Sequence, residues 1–291
     1  GTDGLCLAGG VTLNCQMNDR LRRHFRPKGI YVQPAANDAG TALGAALEAW
    51  SHFGDGSSAK MDHAYLGPEF SDETIESALK RSGLSYNRSP NVGADVAKRL
   101  AGGEIFCFFQ HRMEFGPRAL GARSIVADPR SLEVKNRANA LKTRQGWRPF
   151  GPSVLAGYED EYFEEAFDTR FMLFTQKIKP EKLSLLPAIA HVDGTTRPQI
   201  VHPEPNRAYH DLISEFHRLT GIPMVLNTSF NRRGEPIVCS PEDALESFVG
   251  LGADGLAIGS FIVERPTPDF ILPPMRDTTP RWFDPIGDEI L

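Results

Sequence analysis

Short apolar runs punctuated by glycine and proline give this chain its skeleton. Leu5-Cys6-Leu7-Ala8 and residues 29–33 read as two short buried strands. The first leads through Gly9-Gly10-Val11-Thr12-Leu13-Asn14 into a helix containing Arg20 and His24, and the second leads through a loop at 34–40 into an Ala-rich helix at 41–50. Ser71-Asp72-Glu73 supplies a cap and an acidic first turn for a helix reaching about residue 81. A further helix at 95–101 stops at Gly102-Gly103, and the unbroken run Ile105-Phe106-Cys107-Phe108-Phe109 predicts a buried strand. Helices and strands then alternate over 158–167, 171–178, 188–191, 206–219, 224–226, 241–250 and 256–263. This pattern predicts an α/β or α+β fold around a mixed sheet. The small polar stretch Gly54-Asp55-Gly56-Ser57-Ser58-Ala59-Lys60 lacks periodicity and divides the chain into a unit at 1–55, a linker at 56–61 and a larger unit at 62–291. The Pro-rich tail from Pro266 onward reads as irregular surface structure.

Composition adds bounds rather than direction. With 291 residues, 41% hydrophobic and 24% charged, the chain can bury at least one full core. No apolar run approaches the ~20 residues needed to cross a bilayer, so a soluble, cytoplasmic protein is expected. Cys6, Cys15, Cys107 and Cys239 show neither CxxC nor zinc spacing and read as free thiols. The eight histidines include no HxxH, HxxxH or HExxH pair. The chain opens at Gly1 just before an apolar strand and is read as a piece of a longer protein.

Charge changes the picture. Between Arg112 and Arg148 there are nine cations against three carboxylates, inside a chain of formal net charge −5. A local cationic excess in an acidic chain points to a pocket for a small polyanion rather than a nucleic-acid stripe. Binding to neither DNA nor RNA is expected. Gly116-Pro117-Arg118-Ala119-Leu120-Gly121 frames one arginine with turn residues, which predicts a guanidinium leaving a fixed backbone. Lys142-Thr143-Arg144 alternates like a strand and predicts both cations on one face, with Arg148 following. Asp193-Gly194-Thr195-Thr196-Arg197 places a turn before another arginine, and Ser229-Phe230-Asn231 can aim a hydroxyl and an amide at one ligand while Phe230 goes to the core. His111, beside Gln110 and Arg112, is the one candidate general acid or base in this region.

Four stretches, EFGPRALGARSI, RPFGPSVL, DGTTRPQIV and LNTSFNRRGEPIV, together resemble the C-terminal part of the O-carbamoyltransferases of antibiotic and nodulation-factor biosynthesis. The resemblance covers nearly the whole chain. It implies a remnant of a kinase-like (ASKHA, Kae1-like) domain followed by a YrdC-like domain with a mixed, twisted sheet. Lys142-x-Arg144 with Ser229-x-Asn231 matches the KxR and SxN signature of the YrdC-like family. On that resemblance, Arg118, Lys142, Arg144, Arg148, Arg197, Ser229 and Asn231 bind carbamoyl phosphate and ATP, with Lys142, Arg144, Arg118 and Arg148 catalytic. Gly9, Gly10 and Asn14 lie near a nucleotide in the Kae1-like part.

Asp38 reads from sequence alone as a cap for the following helix, and by the resemblance as one ligand of a metal whose two histidine ligands are not in this chain. The implied reaction joins carbamoyl phosphate and ATP into carbamoyl-adenylate, with Mg²⁺ accompanying ATP. The Kae1-like domain then transfers the carbamoyl group to an acceptor hydroxyl. Fe²⁺ or another divalent metal is expected only in a complete Kae1-like domain. A threonylcarbamoyl-adenylate synthase and an inert nucleotide-binding remnant stay open as alternatives, as does a homodimer.

Overall fold

A computed structural model describes residues 3–55 and 61–275. Most of the expected linker falls at 56–60, outside the described residues. The strands are β1 (Gly4–Leu7), β2 (Gly29–Val32), β3 (Tyr86–Arg88), β4 (Phe106–Phe109), β5 (Arg123–Ala127), β6 (Gly151–Leu155), β7 (Phe163–Glu164), β8 (Gln176–Ile178), β9 (Thr195–Thr196), β10 (Gln199–Val201), β11 (Met224–Ser229), β12 (Gly255–Ile258) and β13 (Phe261–Glu264). The helices are α1 (Cys15–Phe25), α2 (Gly40–Phe53), α3 (Asp72–Ser82), α4 (Val92–Ala101), α5 (Leu132–Leu141), the single turn α6 (Glu159–Tyr162), α7 (Arg207–Thr220) and α8 (Pro241–Leu251).

An eight-stranded mixed sheet, in the order β10-β6-β11-β5-β4-β12-β13-β3, organises the larger part of the molecule. Two of its pairings, β10 with β6 and β12 with β4, are parallel, and the others are antiparallel. Every residue of β4, β5, β6 and β12 is buried, as continuous apolar strands require when both faces are covered. Helix α4 packs on α7, and α3 on α8.

Local chemistry sets the helix starts: Ser71, Asn91, Ser131, Asn206 and Ser240 each cap the helix that follows with a side-chain oxygen. The mixed α/β architecture is therefore the one the sequence predicts. Two smaller sheets complete the fold, a parallel pair β1-β2 and a three-stranded sheet β7-β8-β9. The segment carrying β1, α1 and β2 docks on residues 165–175. Asn18 Nδ2 donates to the Leu173 carbonyl at 2.8 Å, Arg22 lies over the Phe167 ring, and Val32 shares a small core with Leu173 and Phe174.

Several expected elements differ. Lys142-Thr143-Arg144 is not a strand: Lys142 is the C-cap of α5, and Thr143 takes a positive φ of 48° that ends the helix. The stretch 158–167 holds only α6 and the two-residue β7, because Glu165 turns the chain with φ 47°. Of 171–178 only the last three residues form a strand, and 188–191 is a turn. The run 256–263 is a hairpin, β12 to β13, tightened at Gly259.

Candidate functional site

The loop between β4 and β5 is fixed by one carboxylate. Buried Glu114 accepts backbone N–H bonds through Oε1 from Leu120 and Ala122, both at 2.7 Å, and from Arg123 at 3.2 Å. Tyr65 Oη and Gln199 Nε2 both donate to the Leu120 carbonyl at 2.7 Å. At Gly121, φ is 103° and a Cβ would meet the Tyr209 ring at 2.0 Å, so only glycine fits there. A loop held this firmly presents Arg118 from a rigid base, as its Gly and Pro frame predicts.

Arg118 reaches out of that loop to the N-terminal segment, where its Nη2 donates to the Leu13 carbonyl at 3.0 Å. Its Nε is buried without a partner among the described residues, as is the Nε of Arg197. Arg144 lies with its guanidinium 4.0 Å from the centre of the Phe150 ring, and its Nε donates to Asn139 Oδ1 at 2.6 Å. Asn139 Nδ2 in turn donates to the carbonyls of Gly146 and Arg148, which shapes the 142–149 loop.

These arginines meet in a cavity of about 460 Å³ lined by Arg118, Arg144, Arg148 and Arg197, with Ser229 and Thr228 at the end of β11. Leu13 to Gln16, the entry to α1, also line it, so Asn14 lies on its wall. No described Asp or Glu lines it. Like charges crowd one another: burial first, then Arg197, pulls Arg118 down to about 10, and burial, then Arg148 and Arg197, pulls Arg144 to about 10. Burial also lowers Arg197. A concave surface with four guanidiniums and no carboxylate is unbalanced until an anion enters.

Lys142 and Asn231 stand behind this wall. Lys142 Nζ donates to Ser229 O at 2.6 Å, Ser229 Oγ at 3.2 Å, Asn231 O at 2.9 Å and Asn231 Oδ1 at 2.7 Å. The KxR and SxN residues are thus joined through the lysine, which ties the end of α5 to the end of β11. Burial, followed by Arg144, pulls Lys142 down to about 8. The unfolded lysine titrates near ~10.4, so between about pH 8 and that value the unfolded chain binds more protons than the folded one. Stability is therefore expected to rise with pH across that window and to lose this slope in Lys142→Met. Urea midpoints of the two proteins at stepped pH check it, and parallel curves would refute it.

The remaining sequence candidates have other roles. Gly9 N–H donates to the Ala36 carbonyl, and neither Gly9 nor Gly10 lines the cavity. Asn14 Oδ1 caps α1 by accepting from Met17 N. The Asp38 carbonyl accepts from Thr41, and Asp38 joins no group of three or more His, Cys, Asp or Glu among the described residues. His111 does not line the cavity; it sits 3.5 Å from Glu69 and against Tyr65.

Much of the basic stretch has structural partners instead. Arg123 is fully buried over the Phe109 ring and donates to the carbonyls of Gln110 and His111. Arg130 pairs with Asp128, Arg137 with Asp254, and Arg112 holds the carbonyls of Leu66 and Gly67.

Sequence reasoning passed over Glu114, Asn139, Cys15 and His191. His191 lines the cavity, and burial, aided by Arg197 and Lys135 and opposed by Asp193, holds its imidazole below the usual histidine range. A second cleft, about 620 Å³, is lined by Ile30, Leu43, Leu47 and Phe171. Its one arginine, Arg170, is paired with Asp168, so it is no rival as an anion site.

Comparison with known proteins fits this geometry into a family. The family description "Carbamoyltransferase C-terminus" matches residues 97–265, more than half of the chain, and "Carbamoyltransferase N-terminus" matches residues 1–47. Nodulation protein NolO of Bradyrhizobium diazoefficiens is 43% identical over 91% of this chain and 50% of its own length. Nodulation protein NolNO of Sinorhizobium fredii is 44% identical over 92% and 40% respectively. This chain thus spans half or less of those relatives. Among solved structures, full-length HypF in its phosphate- and nucleotide-bound form aligns with a TM-score of 0.43 at 20% identity, over 60% of this chain and 22% of that one. Sua5 of P. abyssi, complexed with L-threonine, aligns with a TM-score of 0.44 at 13% identity, over 58% and 46%. With the family description matched across the sheet and the arginine cavity alike, the chain belongs to the carbamoyltransferase family.

Proposed function

We propose that this protein binds carbamoyl phosphate and ATP in the arginine-lined cavity and joins them into carbamoyl-adenylate, which supplies O-carbamoylation of a hydroxyl-bearing acceptor. The observation that supports this reading is the gathering of four guanidiniums in one cavity that no described carboxylate lines. Two phosphorylated substrates repel each other unless cations neutralise them, and arginine's planar fork binds phosphate oxygens in pairs. In the reaction, carbamoyl phosphate is hydrolysed to phosphate and carbamate. A carbamate oxygen then attacks the α-phosphorus of ATP, and pyrophosphate leaves. Mg²⁺ enters with ATP and adds charge neutralisation.

The described residues do not fit a resident Fe²⁺ site, because Asp38 belongs to no group of three or more His, Cys, Asp or Glu among them. No step is assigned to such a metal in this chain. Because the cations are gathered in a hollow, nucleic acid is not among the proposed partners. The test is pyrophosphate release from ATP with and without carbamoyl phosphate. Release that depends on carbamoyl phosphate is the expected result. ATP binding with no release would instead select an inert nucleotide-binding role, and release that depends on threonine and bicarbonate would select a threonylcarbamoyl-adenylate synthase.

A further inference from the structure

Cys15 is the thiol on the cavity wall. It is the first residue of α1 and lines the cavity together with Arg118 and Arg197. Of the other cysteines, Cys107 is buried in β4, while Cys6 and Cys239 are exposed and line no part of this cavity. A second observation points to a ligand at the same place. The Arg197 side chain lies deep in the wall with an Nε that has no partner among the described residues, and Arg118 has an equally unpartnered Nε. Cys15 lines the same cavity as both guanidiniums.

We infer that Cys15 is a carbamoylation site, filled by an anionic carbamoyl donor that the arginines hold against its sulfur. The inference rests on the reading that the cavity takes carbamoyl phosphate. In direct transfer, the sulfur attacks the carbonyl carbon and the carbon–oxygen bond to phosphate breaks. The thiol proton leaves with the phosphate, and an S-carbamoyl cysteine remains. In the second route, carbamoyl phosphate first eliminates phosphate to give isocyanic acid, which adds across the S–H bond to the same product. Neither route needs an oxidant or a third reactant. The product puts a bulkier, neutral group beside Arg118 and Arg197, so a carbamoylated protein is expected to hold its substrates less well. The cavity thereby senses an excess of its own donor.

The full chain is incubated with carbamoyl phosphate or with potassium cyanate, and carbamoyl groups on each cysteine are followed by peptide mass spectrometry. Cys15 is expected to react at least about tenfold faster than Cys6 and Cys239, the low end of the concentrating effect of a one-sign cleft. Inorganic phosphate is expected to protect Cys15 alone. Arg197→Met should remove the preference, and Cys15→Ser should remove the fast-reacting site. Labelling by carbamoyl phosphate that survives an amine scavenger of isocyanic acid identifies direct transfer, and its loss identifies the elimination route; both support the site. Phosphate binding to the same protein is measured separately by calorimetry. If phosphate binds and Cys15 reacts no faster than Cys6 and Cys239, the carbamoylation site is refuted and the proposed function stands. If phosphate neither binds nor protects, both fall.

Discussion

Arg144→Ala is expected to lower carbamoyl-phosphate-dependent pyrophosphate release by about two orders of magnitude while leaving the thermal midpoint at or above that of the wild type. A charge-assisted hydrogen bond contributes ~1.5–3 kcal/mol, about one to two factors of ten in rate. A planar guanidinium that makes two such bonds to a phosphate reaches the upper figure. The stability half of the expectation comes from the neighbours. Arg144 is crowded by Arg148 and Arg197 and has no carboxylate partner among the described residues, so its removal relieves repulsion in the unliganded protein. The loss of the stacking contact on Phe150 and of the bond to Asn139 offsets part of that gain. Steady-state pyrophosphate assays alongside thermal melts read both quantities. A melt lowered in proportion to the activity would mean that Arg144 holds the loop and not a substrate.

Lys142→Ala should lose activity to a similar extent and, unlike Arg144→Ala, should lose stability too. Removing Nζ takes that donor from the Ser229 and Asn231 carbonyls, while Asn231 Oδ1 keeps the Ser229 hydroxyl as a donor at 2.6 Å. Each of these half-buried acceptors left without a partner costs up to ~1–3 kcal/mol. Water entering from the cavity recovers part of this, since Ser229 lines it. A net loss of roughly 2–4 kcal/mol corresponds to a fall of several degrees in the melting midpoint of a chain this size. Lys142→Arg is the informative control: it keeps the charge but brings a planar fork to a socket built around a point donor, and rescue of neither property is expected. Full activity in Lys142→Ala would remove the lysine from the site's framework.

The two variants separate two roles that the sequence presents as one motif. From Lys142-Thr143-Arg144 the alternation is plain, but the left-handed Thr143 that ends α5 depends on tertiary packing. It sends the lysine into the wall and the arginine into the cavity. The excess of cations between Arg112 and Arg148 was legible too, while the choice among them was not. Whether an arginine meets a carboxylate or an aromatic face depends on the fold as well as on neighbours: Arg130 pairs with Asp128 two residues away, Arg137 with Asp254, 117 residues on, and Arg123 lies over the Phe109 ring.

The side-chain-capped helices α3, α7 and α8 and the unbroken run of β4 were readable because their signals are local, whereas α5, capped by Ser131, was not read. Strands β5 and β6 were hidden by their own composition: β6 opens Gly151-Pro152, which reads as a turn, yet Pro152 stands opposite Leu226 inside the sheet. The contribution of Cys15 and His191 to the cavity had no signal in sequence. Each becomes significant only because the docking of α1, or the turn at 191–195, brings it beside Arg197.

The pairing of β4 with β12 has a consequence during synthesis. Phe106 to Phe109 stands beside Gly255 to Ile258 in the finished sheet, and the flanking contacts Ile105 with Asp254 and Gln110 with Gly259 each span 149 residues. At roughly 5–20 residues per second, β4 leaves the ribosome about 7–30 s before the strand that covers its second edge. β5 follows closely and covers the first edge, as the antiparallel partner of β4. For that interval a Phe-Cys-Phe-Phe edge without charge or proline is open to other nascent chains, with no gatekeeper residue in the strand itself. Slower association at low temperature during expression is therefore expected to favour the pairing that waits for the C-terminal hairpin.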